Sequence, residues 1–414
     1  MKAQLISIGD ELLIGQTIDT NSAWIGSELS LLGFDIQNKS TIHDNRSDIL
    51  NQLSAATGNY DVVIMTGGLG PTSDDITKGT LCEFFETNLE TNSTVLSMIQ
   101  EIMHRRNFPM NENNRRQADV PGSARILTNA MGTAPGLWFE KQGTIFISLP
   151  GVPAEMKYIM ANHVLPEFKI RFQKQTIIHR NIMTYGVPEA RLAELLAGFE
   201  EGLPAGIKLA YLPSSGINKL RLTGIGTDKK SVSGLIEAKV KELYETIPEL
   251  IYGENEESLE MVIGKLLTSR HKTVCTAESC TGGNIAWMLT SVPGSSNYFQ
   301  GSIVAYSNRI KNEILGVDNN IFEREGAVSE TVVLRMAESA RRLLKTDYCV
   351  ATSGIAGPDG GTQQKPVGTL CIAVSSDSGT VSETHTFGTE RIHNIRRFSL
   401  AAMNLLRTQI LRSC

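Results

Sequence analysis

A glycine-rich turn at residues 66–77 carries the densest group of residues suited to binding a phosphate. It reads Thr-Gly-Gly-Leu-Gly-Pro-Thr-Ser-Asp-Asp-Ile-Thr and follows a short apolar run. Glycines at Gly67, Gly68 and Gly70 let the backbone approach a ligand closely, and N–H groups that open a helix attract anions. The turn therefore predicts a site for a phosphate-bearing small molecule, with the Thr72 hydroxyl among its contacts. It lacks the third glycine of the Rossmann fingerprint and the lysine of a P-loop.

Two adjacent carboxylates end this turn, and two more polar turns are expected beside it. Asp74 and Asp75 either help to hold a metal ion through their oxygens or cap the helix that follows. The segments 9–21 and 148–155 are also polar and also follow strand-like apolar runs. Ligands bind at the carboxyl ends of the strands in sheets of this kind. We therefore expect the three turns to form one site.

A second group of reactive side chains follows a strand-like run in the last third of the chain. Ser279 lies in the turn Ala-Glu-Ser-Cys-Thr-Gly-Gly, just before a helical pattern. A hydroxyl in such a turn, backed by the N–H groups of Thr281, Gly282 and Gly283, has the parts of a nucleophile with an oxyanion hole. Two alternatives remain open. Ser279 only caps the helix, or Cys280 is the nucleophile or a core thiol.

The base for a serine nucleophile is expected from Lys311, because no histidine lies near Ser279 in the sequence. A buried lysine with a lowered pKa can act as a general base, and Tyr306 can relay or orient the proton. The ordinary alternative is a solvated lysine.

A third turn, at residues 352–361, adds hydroxyl and backbone N–H groups to this second site. Arg396 and Arg397, in the last helical pattern, can hold a phosphate bidentately or lie on an exposed helix face. The expected contacts from the turn itself are Thr352, Ser353, Gly354 and Gly357.

Alternating strand and helix patterns must position the first set of residues. Strand-like runs at 3–8, 61–65 and 144–149 are separated by helical patterns, and Asp19, Thr20 or Asn21 can cap the first of these helices. Such alternation predicts a mostly parallel sheet with helices on both faces.

The rest of the chain changes character twice. Residues 176–251 contain two strand-like runs and two helical patterns, and the polar stretch 253–257 indicates a linker. From residue 258 onward strands and helices alternate again, ending in a helical pattern at 391–412. The predicted domains are residues 1–172, 176–252 and 256–414.

Composition indicates a globular, reduced protein. The chain has 414 residues, 41% hydrophobic and 20% charged, which predicts two or three domains. A net charge of −5 and the lack of a long basic stripe argue against a nucleic-acid partner. Six cysteines form no CxxC pair, no apolar run approaches 18 residues, and no secretion signal is recognisable. We therefore expect a cytoplasmic protein with no membrane partner.

The first third of the chain resembles the molybdopterin-binding family fold and, more closely, the N-terminal half of the CinA family. Segments 9–15, 19–21, 66–77 and 149–153 carry the resemblance. It implies a domain that binds a nucleotide or pterin phosphate. In CinA relatives it implies hydrolysis of the ADP-ribose pyrophosphate bond with a divalent metal ion (Mg, Mn or Co). The resemblance makes Asp10, Asp44, Asp74 and Asp75 the candidate metal-positioning residues, with Asp19 and Asn21 as further ligand contacts.

The last third resembles the C-terminal CinA domain, on segments 277–283, 306–311, 326–329 and 353–361. Stand-alone versions of that domain convert nicotinamide mononucleotide and water to nicotinate mononucleotide and ammonia. The resemblance implies that Ser279 is the nucleophile, activated by Tyr306 and Lys311, and that no cofactor is needed. It also implies a site hydroxyl at Thr352 and a phosphate ligand at Arg396 or Arg397.

The sequence thus predicts an α/β protein with three parts. These are an N-terminal molybdopterin-binding-like three-layer α/β domain, a small α+β middle module and a C-terminal α/β CinA amidase domain. The predicted function is a two-activity enzyme of pyridine-nucleotide recycling, acting on nicotinamide mononucleotide and ADP-ribose and assembled as a homodimer. The alternative is that the N-terminal domain binds a nucleotide or pterin without turnover and regulates the amidase. A DNA-uptake role, suggested by the family name, has little physical basis.

Overall fold

The computed structural model describes residues 1–70, 76–172, 175–214 and 216–413. These residues group into two compact units. The N-terminal unit comprises Met1–Ile178 with Gly224–Gly234, and the C-terminal unit comprises His179–Thr223 with the residues from Leu235 onward.

The N-terminal unit alternates strands and helices in chain order. Its strands are β1 (Lys2–Ile8), β2 (Asp35–Ile42), β3 (Val62–Thr66), β4 (Leu89–Thr91), β5 (Asp119–Pro121), β6 (Arg125–Leu127), β7 (Gly136–Lys141) and β8 (Thr144–Leu149). Its helices are α1 (Asp10–Leu13), α2 (Thr20–Leu31), α3 (Arg46–Ala56), α4 (Thr77–Phe84), α5 (Ser93–Arg105), α6 (Glu112–Arg116), α7 (Pro153–Ile159) and α8 (Leu165–Phe172). A π-helical turn, Met160–Val164, joins the last two.

The main sheet of this unit has the strand order β2-β1-β3-β8-β7-β6 in the described residues. β1 runs parallel to β2 and β3, and β3 runs parallel to β8. β7 is antiparallel to β8, because Gln142 and Gly143, both at positive φ, make a tight hairpin turn between them. β7 is also antiparallel to β6. The predicted parallel sheet is therefore present in the strands that the polar turns follow, and two antiparallel strands, β7 and β6, extend it at one edge.

Helices cover both faces of this sheet, which confirms the predicted three-layer arrangement. Alternate residues of a strand point to opposite faces. Leu5 and Ile64 belong to a core formed with α2, α7 and α8, whereas Ile6 and Val63 belong to a second core formed with α3 and α4. The two cores fix the sheet, and with it the edge where the polar turns emerge.

The first part of the C-terminal unit is the small α+β module. Its elements are β9 (Thr176–Tyr185), α9 (Glu189–Glu201), β10 (Ile207–Ser214), β11 (Ile217–Gly226), α10 (Lys229–Thr246) and β12 (Ile251–Glu254). Some residues of β9, β11 and α10 fall in the N-terminal unit. The strand order is β10-β11-β9-β12 in the described residues.

The predicted linker at 253–257 is wrong at its first two residues. Gly253 and Glu254 end β12, which pairs antiparallel with β9. Asn255 then turns the chain at a φ of +58° and donates its N–H to the carbonyl of Asn181. Pairing with β9 overrides the local turn signal, because it satisfies the backbone of a stretch whose composition suggests a loop.

The second part of the C-terminal unit contains the other alternating pattern. Its helices are α11 (Leu259–Ser269), α12 (Asn284–Thr290), α13 (Asn308–Glu313), α14 (Asn319–Glu325), α15 (Glu330–Leu344) and α16 (Arg391–Arg412). Its strands are β13 (Val274–Glu278), β14 (Phe299–Val304), β15 (Tyr348–Gly354), β16 (Thr369–Ser376) and β17 (Gly379–Thr386).

This second sheet is mixed, with the order β14-β13-β15-β16-β17 in the described residues. β13 is parallel to β14 and β15, whereas β16 is antiparallel to β15 and β17. Val274 and Val350 face one core with α11, α12 and α16, and Cys275 and Ala351 face another core with α15. Because β13, β14 and β15 run in the same direction, their carboxyl ends meet at one edge of the sheet.

Two further predictions concern the chain as a whole. No helix within the described ranges combines the length and hydropathy that crossing a membrane requires. The cysteines of the described ranges are buried free thiols, as expected for small core residues: Cys82, Cys275, Cys280, Cys349 and Cys371.

Candidate functional site

A cavity of about 230 Å³ lies at the carboxyl ends of β13, β14 and β15. It brings together predicted site residues that are distant in the sequence: Ser279, Tyr306, Lys311, Ser353 and Gly354. Further lining residues are Cys280, Asn308, Ala327, Val328, Ala356 and Arg391. The parallel strands explain this convergence, since each of the three ends at the same edge.

A buried carboxylate holds the turn that presents Ser279. Glu278, fully buried, accepts the backbone N–H groups of Gly283 at 3.0 Å, Ile285 at 3.1 Å and Ala286 at 2.8 Å. The N–H of Gly282 donates to the carbonyl of Ser279. The prediction that Gly282 and Gly283 offer their N–H groups to a substrate is therefore wrong, because both donors are already used inside the turn.

Two threonines support the same turn from inside the protein. Thr281 Oγ1 lies 2.7 Å from Glu278 Oε2 and 2.8 Å from Thr352 Oγ1. A carboxylate only accepts, so Thr281 donates to Glu278 and accepts from Thr352. The carbonyl of Thr352 accepts the N–H of Ser279 at 3.0 Å. Neither threonine lines the cavity, so both are placed to position Ser279 rather than to touch a ligand.

Lys311 lines the same cavity as Ser279 and is almost fully buried, with 2% of its surface exposed. Its Nζ makes one hydrogen bond within the described residues, a long one of 3.4 Å to the carbonyl of Tyr306. Burial disfavours the charged form and lowers the pKa of Lys311. The predicted solvated alternative is wrong, and a larger fraction of this amine is neutral than for an exposed lysine.

Cys280 lines the same cavity, but its surroundings oppose a nucleophilic role. Its side chain packs in the core with Val350 and Leu370. Burial raises the pKa of the Cys280 thiol to about 12, so the reactive thiolate is scarce near neutral pH.

Arg391, the first residue of α16, is the arginine at this cavity. Its Nη1 donates to the carbonyl of Gly357 at 2.8 Å and its Nη2 to the hydroxyl of Tyr306 at 3.0 Å. Of the arginines that the sequence singled out, Arg396 is exposed and Arg397 lines a different cavity, and neither lines this one. Sequence reasoning missed Arg391, which is the first residue of the last helix.

The opposite wall of this cavity comes from the segment between α14 and α15. Ser353 Oγ donates to the carbonyl of Ala327 at 2.7 Å, and Lys365 Nζ donates to the carbonyl of Val328 at 2.6 Å. The first bond ties Ala327 to β15, and the second ties Val328 to the loop that follows β15. Gly357, a predicted ligand contact, does not line the cavity and accepts a hydrogen bond from Arg391 through its carbonyl.

A second cavity, of about 500 Å³, lies in the N-terminal unit at the carboxyl ends of β1, β3 and β8. The three polar turns line it together, as predicted, with Asp44 beside them. The predicted residues that line it are Asp19, Asn21, Asp44, Gly67, Gly68 and Gly70. Three further predicted residues, Thr72, Asp74 and Asp75, lie outside the described residues.

Asp19 and Asn21 differ in what they can offer a ligand. Asp19 caps α2 by accepting the N–H of Ser22 at 2.9 Å, and it accepts the hydroxyl of Ser7 at 2.6 Å. Burial raises the pKa of Asp19, but these hydrogen bonds outweigh it and the net pKa is lowered. Asn21 Nδ2 donates to the carbonyl of Gly151 at 2.7 Å, whereas its buried Oδ1 has no hydrogen-bond partner within the described residues. Asn21 therefore has an acceptor left for a ligand.

The glycines of the first turn are required by geometry. Gly67 has a φ of +113°, and a Cβ there would lie 2.3 Å from the carbonyl oxygen of Ile8. Gly68 has a φ of +65°, and a Cβ there would lie 2.0 Å from Thr77 Oγ1. Both positions exclude side chains and so keep the floor of the cavity open.

The described carboxylates do not fit a metal centre. Asp10 does not line the cavity, and its Oδ1 lies 2.7 Å from Nδ1 of His43 in an exposed pair. Asp44 lines the cavity, but within the described ranges no three His, Cys, Asp or Glu side chains are placed to share a metal ion.

Glu155 is a lining residue that the sequence reasoning did not select. Burial raises the pKa of its carboxyl group, partly offset by the hydrogen bond of 2.7 Å from Asn129 Nδ2. The available signal was its place in the turn that begins at Pro150. A half-buried carboxyl group with a raised pKa in a cleft is typical of a functional site.

Three family models match the chain in succession. They are described as a probable molybdopterin binding domain (residues 4–169), a damage-inducible protein CinA KH domain (residues 179–253) and a CinA C-terminal domain (residues 256–410).

Relatives match over the whole length. A CinA-like protein of Cytophaga hutchinsonii is 47% identical over 99% of this chain and 98% of that protein. A CinA-like protein of Flavobacterium psychrophilum is 44% identical over 100% of this chain and 99% of its own length. A solved competence/damage inducible protein from Agrobacterium tumefaciens is 35% identical, covering 36% of this chain and 92% of that one, with a TM-score of 0.36. With full-length relatives above 40% identity, the chain belongs to the CinA family.

Proposed function

We propose that the C-terminal unit hydrolyses the carboxamide of nicotinamide mononucleotide, giving nicotinate mononucleotide and ammonia. The observation that carries this proposal is the pairing of a turn-held serine with a buried lysine of lowered pKa in one cavity. A serine needs a base to become a nucleophile, and Lys311 is the titratable group in the cavity whose shift favours the neutral, proton-accepting form.

The reaction proceeds in two halves. Neutral Lys311 takes the proton of the Ser279 hydroxyl as its oxygen attacks the carboxamide carbon. Lys311 then returns that proton to the nitrogen as the C–N bond breaks, and ammonia leaves. Water then attacks the resulting ester while Lys311 takes a proton from the water. The Ser279 oxygen leaves and takes this proton back from Lys311. The Tyr306 hydroxyl, held by Arg391, lies on the rim where it orients the entering substrate.

Arg391 is the proposed phosphate ligand of the nucleotide. It is exposed at the rim of the cavity, and its guanidinium is held at a fixed angle by the carbonyl of Gly357 and the hydroxyl of Tyr306. A planar guanidinium with remaining N–H donors suits a phosphate. This assignment replaces the sequence-based choice of Arg396 or Arg397.

The test measures ammonia and nicotinate mononucleotide released from nicotinamide mononucleotide by the full chain. Lys311→Met is expected to lose activity by at least about a hundredfold, while Lys230→Met, at an exposed lysine of α10, retains it. Nicotinamide riboside, which lacks the phosphate, is expected to react with a higher KM. Equal turnover by Lys311→Met and Lys230→Met would exclude Lys311 as the base.

For the N-terminal unit we propose binding and hydrolysis of a nucleotide pyrophosphate such as ADP-ribose. The observation that favours this proposal is the lining of the cavity of about 500 Å³. The lining combines a turn in which Gly67 and Gly68 leave no room for a side chain, the buried Oδ1 of Asn21, and the carboxyl group of Glu155, whose pKa is raised. A divalent ion remains part of the proposal, but since the described carboxylates do not form a metal centre, no catalytic step is assigned to it.

Incubation with ADP-ribose and magnesium, manganese or cobalt separates turnover from binding alone. AMP and ribose 5-phosphate are the expected products, and Glu155→Gln is expected to reduce their rate of formation. Tight binding of ADP-ribose without products under all three metals would instead support a binding module that regulates the amidase.

We also infer that the chain does not bind nucleic acid. Its net charge is −5, and residues 179–253 lack the Gly-x-x-Gly sequence with which KH modules clamp a nucleotide backbone. Salt-dependent retention of the purified protein on immobilised DNA or RNA would contradict this inference.

A further inference from the structure

A further cavity in the C-terminal unit, of about 620 Å³, is separate from the Ser279 cavity. Its walls come from the end of β9 and the start of α9, the start of β11, the end of β17, and one face of α16. We propose that it is a second ligand site, for a small molecule that combines a planar ring with a phosphate, as a nucleoside monophosphate does. Its volume lies within the range of small-molecule sites, roughly 300–1,000 Å³.

Arg397 supplies the positive charge of this site. No hydrogen bond or ion pair joins its guanidinium to another residue in the described part of the chain. Glycines flank its side chain, since a Cβ at Gly388 would lie 3.8 Å from Arg397 Nη1 and one at Gly216 would lie 3.9 Å from Arg397 Cγ. The guanidinium thus keeps all its donors for an anion, and the bare backbone beside it leaves room for one.

Aromatic side chains supply a surface for a ring. Tyr185, His385 and Phe387 are half-buried around the cavity, and the rings of His385 and Phe387 lie 5.9 Å apart. Glu383 Oε2 lies 2.9 Å from Nε2 of His385 and fixes the imidazole plane. Burial raises the pKa of Tyr185 to about 12, so its hydroxyl stays neutral and able to donate. Flat faces with polar edges bind planar heterocycles by stacking and edge hydrogen bonds.

The site is independent of the proposed amidase reaction. Arg391 and Arg397 are carried by the same helix, six residues apart, which corresponds to roughly 9 Å along its axis, and they line different cavities. A ligand held by Arg397 therefore does not occupy the place of the amidase substrate.

Hydrogen exchange of the full chain with AMP as the probe tests the proposal and locates any binding. AMP is expected to slow amide exchange in peptides covering residues 185–189 and 383–388, and adenosine, which lacks the phosphate, is expected to do so much less. Arg397→Ala is expected to raise the AMP concentration needed for half-maximal protection by roughly tenfold or more. The matched control is Arg396→Ala, at the neighbouring exposed arginine, which is expected to behave as wild type.

Peptides covering residues 66–70 report the N-terminal cavity in the same experiment. Unchanged exchange without AMP in peptides covering the buried strand β13 shows that the C-terminal unit of Arg397→Ala is folded. Unaltered exchange at 185–189 and 383–388 in wild type with millimolar AMP would overturn the site, as would equal protection in Arg397→Ala and Arg396→Ala.

Discussion

Replacing Glu278 by glutamine tests whether one buried carboxylate organises the turn that carries Ser279. Glu278 Oε2 accepts the N–H groups of Gly283 and Ile285 and the hydroxyl of Thr281. Its Oε1 accepts the N–H of Ala286 and the hydroxyl of Thr276. The substitution keeps the shape of the side chain but turns one acceptor into a donor and removes the charge.

The magnitude follows from these contacts. The least costly orientation of the amide places its nitrogen at the Oε1 position, where the Ala286 N–H loses its acceptor and faces another donor. A buried unsatisfied donor costs about 1–3 kcal/mol, and the two remaining N–H bonds weaken because their acceptor is no longer charged. We therefore expect the free energy of opening of this turn to fall by about 2–5 kcal/mol.

The assay is native-state hydrogen exchange at the amides of Gly283, Ile285 and Ala286, with amidase turnover measured on the same samples. The matched control is Glu323→Gln, at an exposed glutamate of α14, which is expected to leave both readouts unchanged. If Glu278→Gln exchanges like Glu323→Gln to within about 0.5 kcal/mol, the carboxylate does not hold the turn and the reasoning from its hydrogen bonds fails.

The other predictions concern the base, the phosphate ligand and the first turn. Amidase kcat/KM is expected to rise with pH as Lys311 loses its proton. Because the pKa of Lys311 in the folded protein lies below the ordinary 10.5, the unfolded state binds more protons between those two pKa values, and the free energy of unfolding rises with pH in that range. Lys311→Met is expected to remove this pH dependence of the free energy of unfolding, measured by denaturant titration. Arg391→Ala is expected to raise KM for nicotinamide mononucleotide by roughly 10–100-fold, the loss of one or two charge-assisted hydrogen bonds, and an unchanged KM would exclude it as the phosphate ligand. Gly68→Ala combines a Cβ 2.0 Å from Thr77 Oγ1 with a φ of +65° and is expected to abolish ADP-ribose binding measured by calorimetry, whereas wild-type affinity would show that the turn is not the phosphate site.

The sequence predicted most of the fold because its hydrophobic periods are strong. The strand at 144–149 and the helix at 391–412 have the predicted bounds. The antiparallel edges were not predictable from period alone, since the hairpin between β7 and β8 depends on residues at positive φ. Residues 253–254, expected to be part of a linker, lie in a strand because their backbone pairs with β9.

The site was predicted in part, for a similar reason. The convergence of the turns follows from parallel strands, which sequence patterns reveal. Sequence patterns do not reveal which acceptor each backbone N–H group bonds to, because that depends on which buried acceptor lies nearest. Glu278 accepts the helix-opening N–H groups expected to bind a substrate. The proposed phosphate ligand is Arg391 rather than Arg396 or Arg397, because of these three arginines only Arg391 lines the Ser279 cavity.

We propose Ser279 as the nucleophile of a nicotinamide mononucleotide amidase. Ammonia release from this substrate by wild type, Ser279→Ala and Cys280→Ala tests it most directly. We expect ammonia release by wild type, retained activity in Cys280→Ala, and a loss of at least about a thousandfold in Ser279→Ala. Full activity in Ser279→Ala, or loss confined to Cys280→Ala, would contradict it.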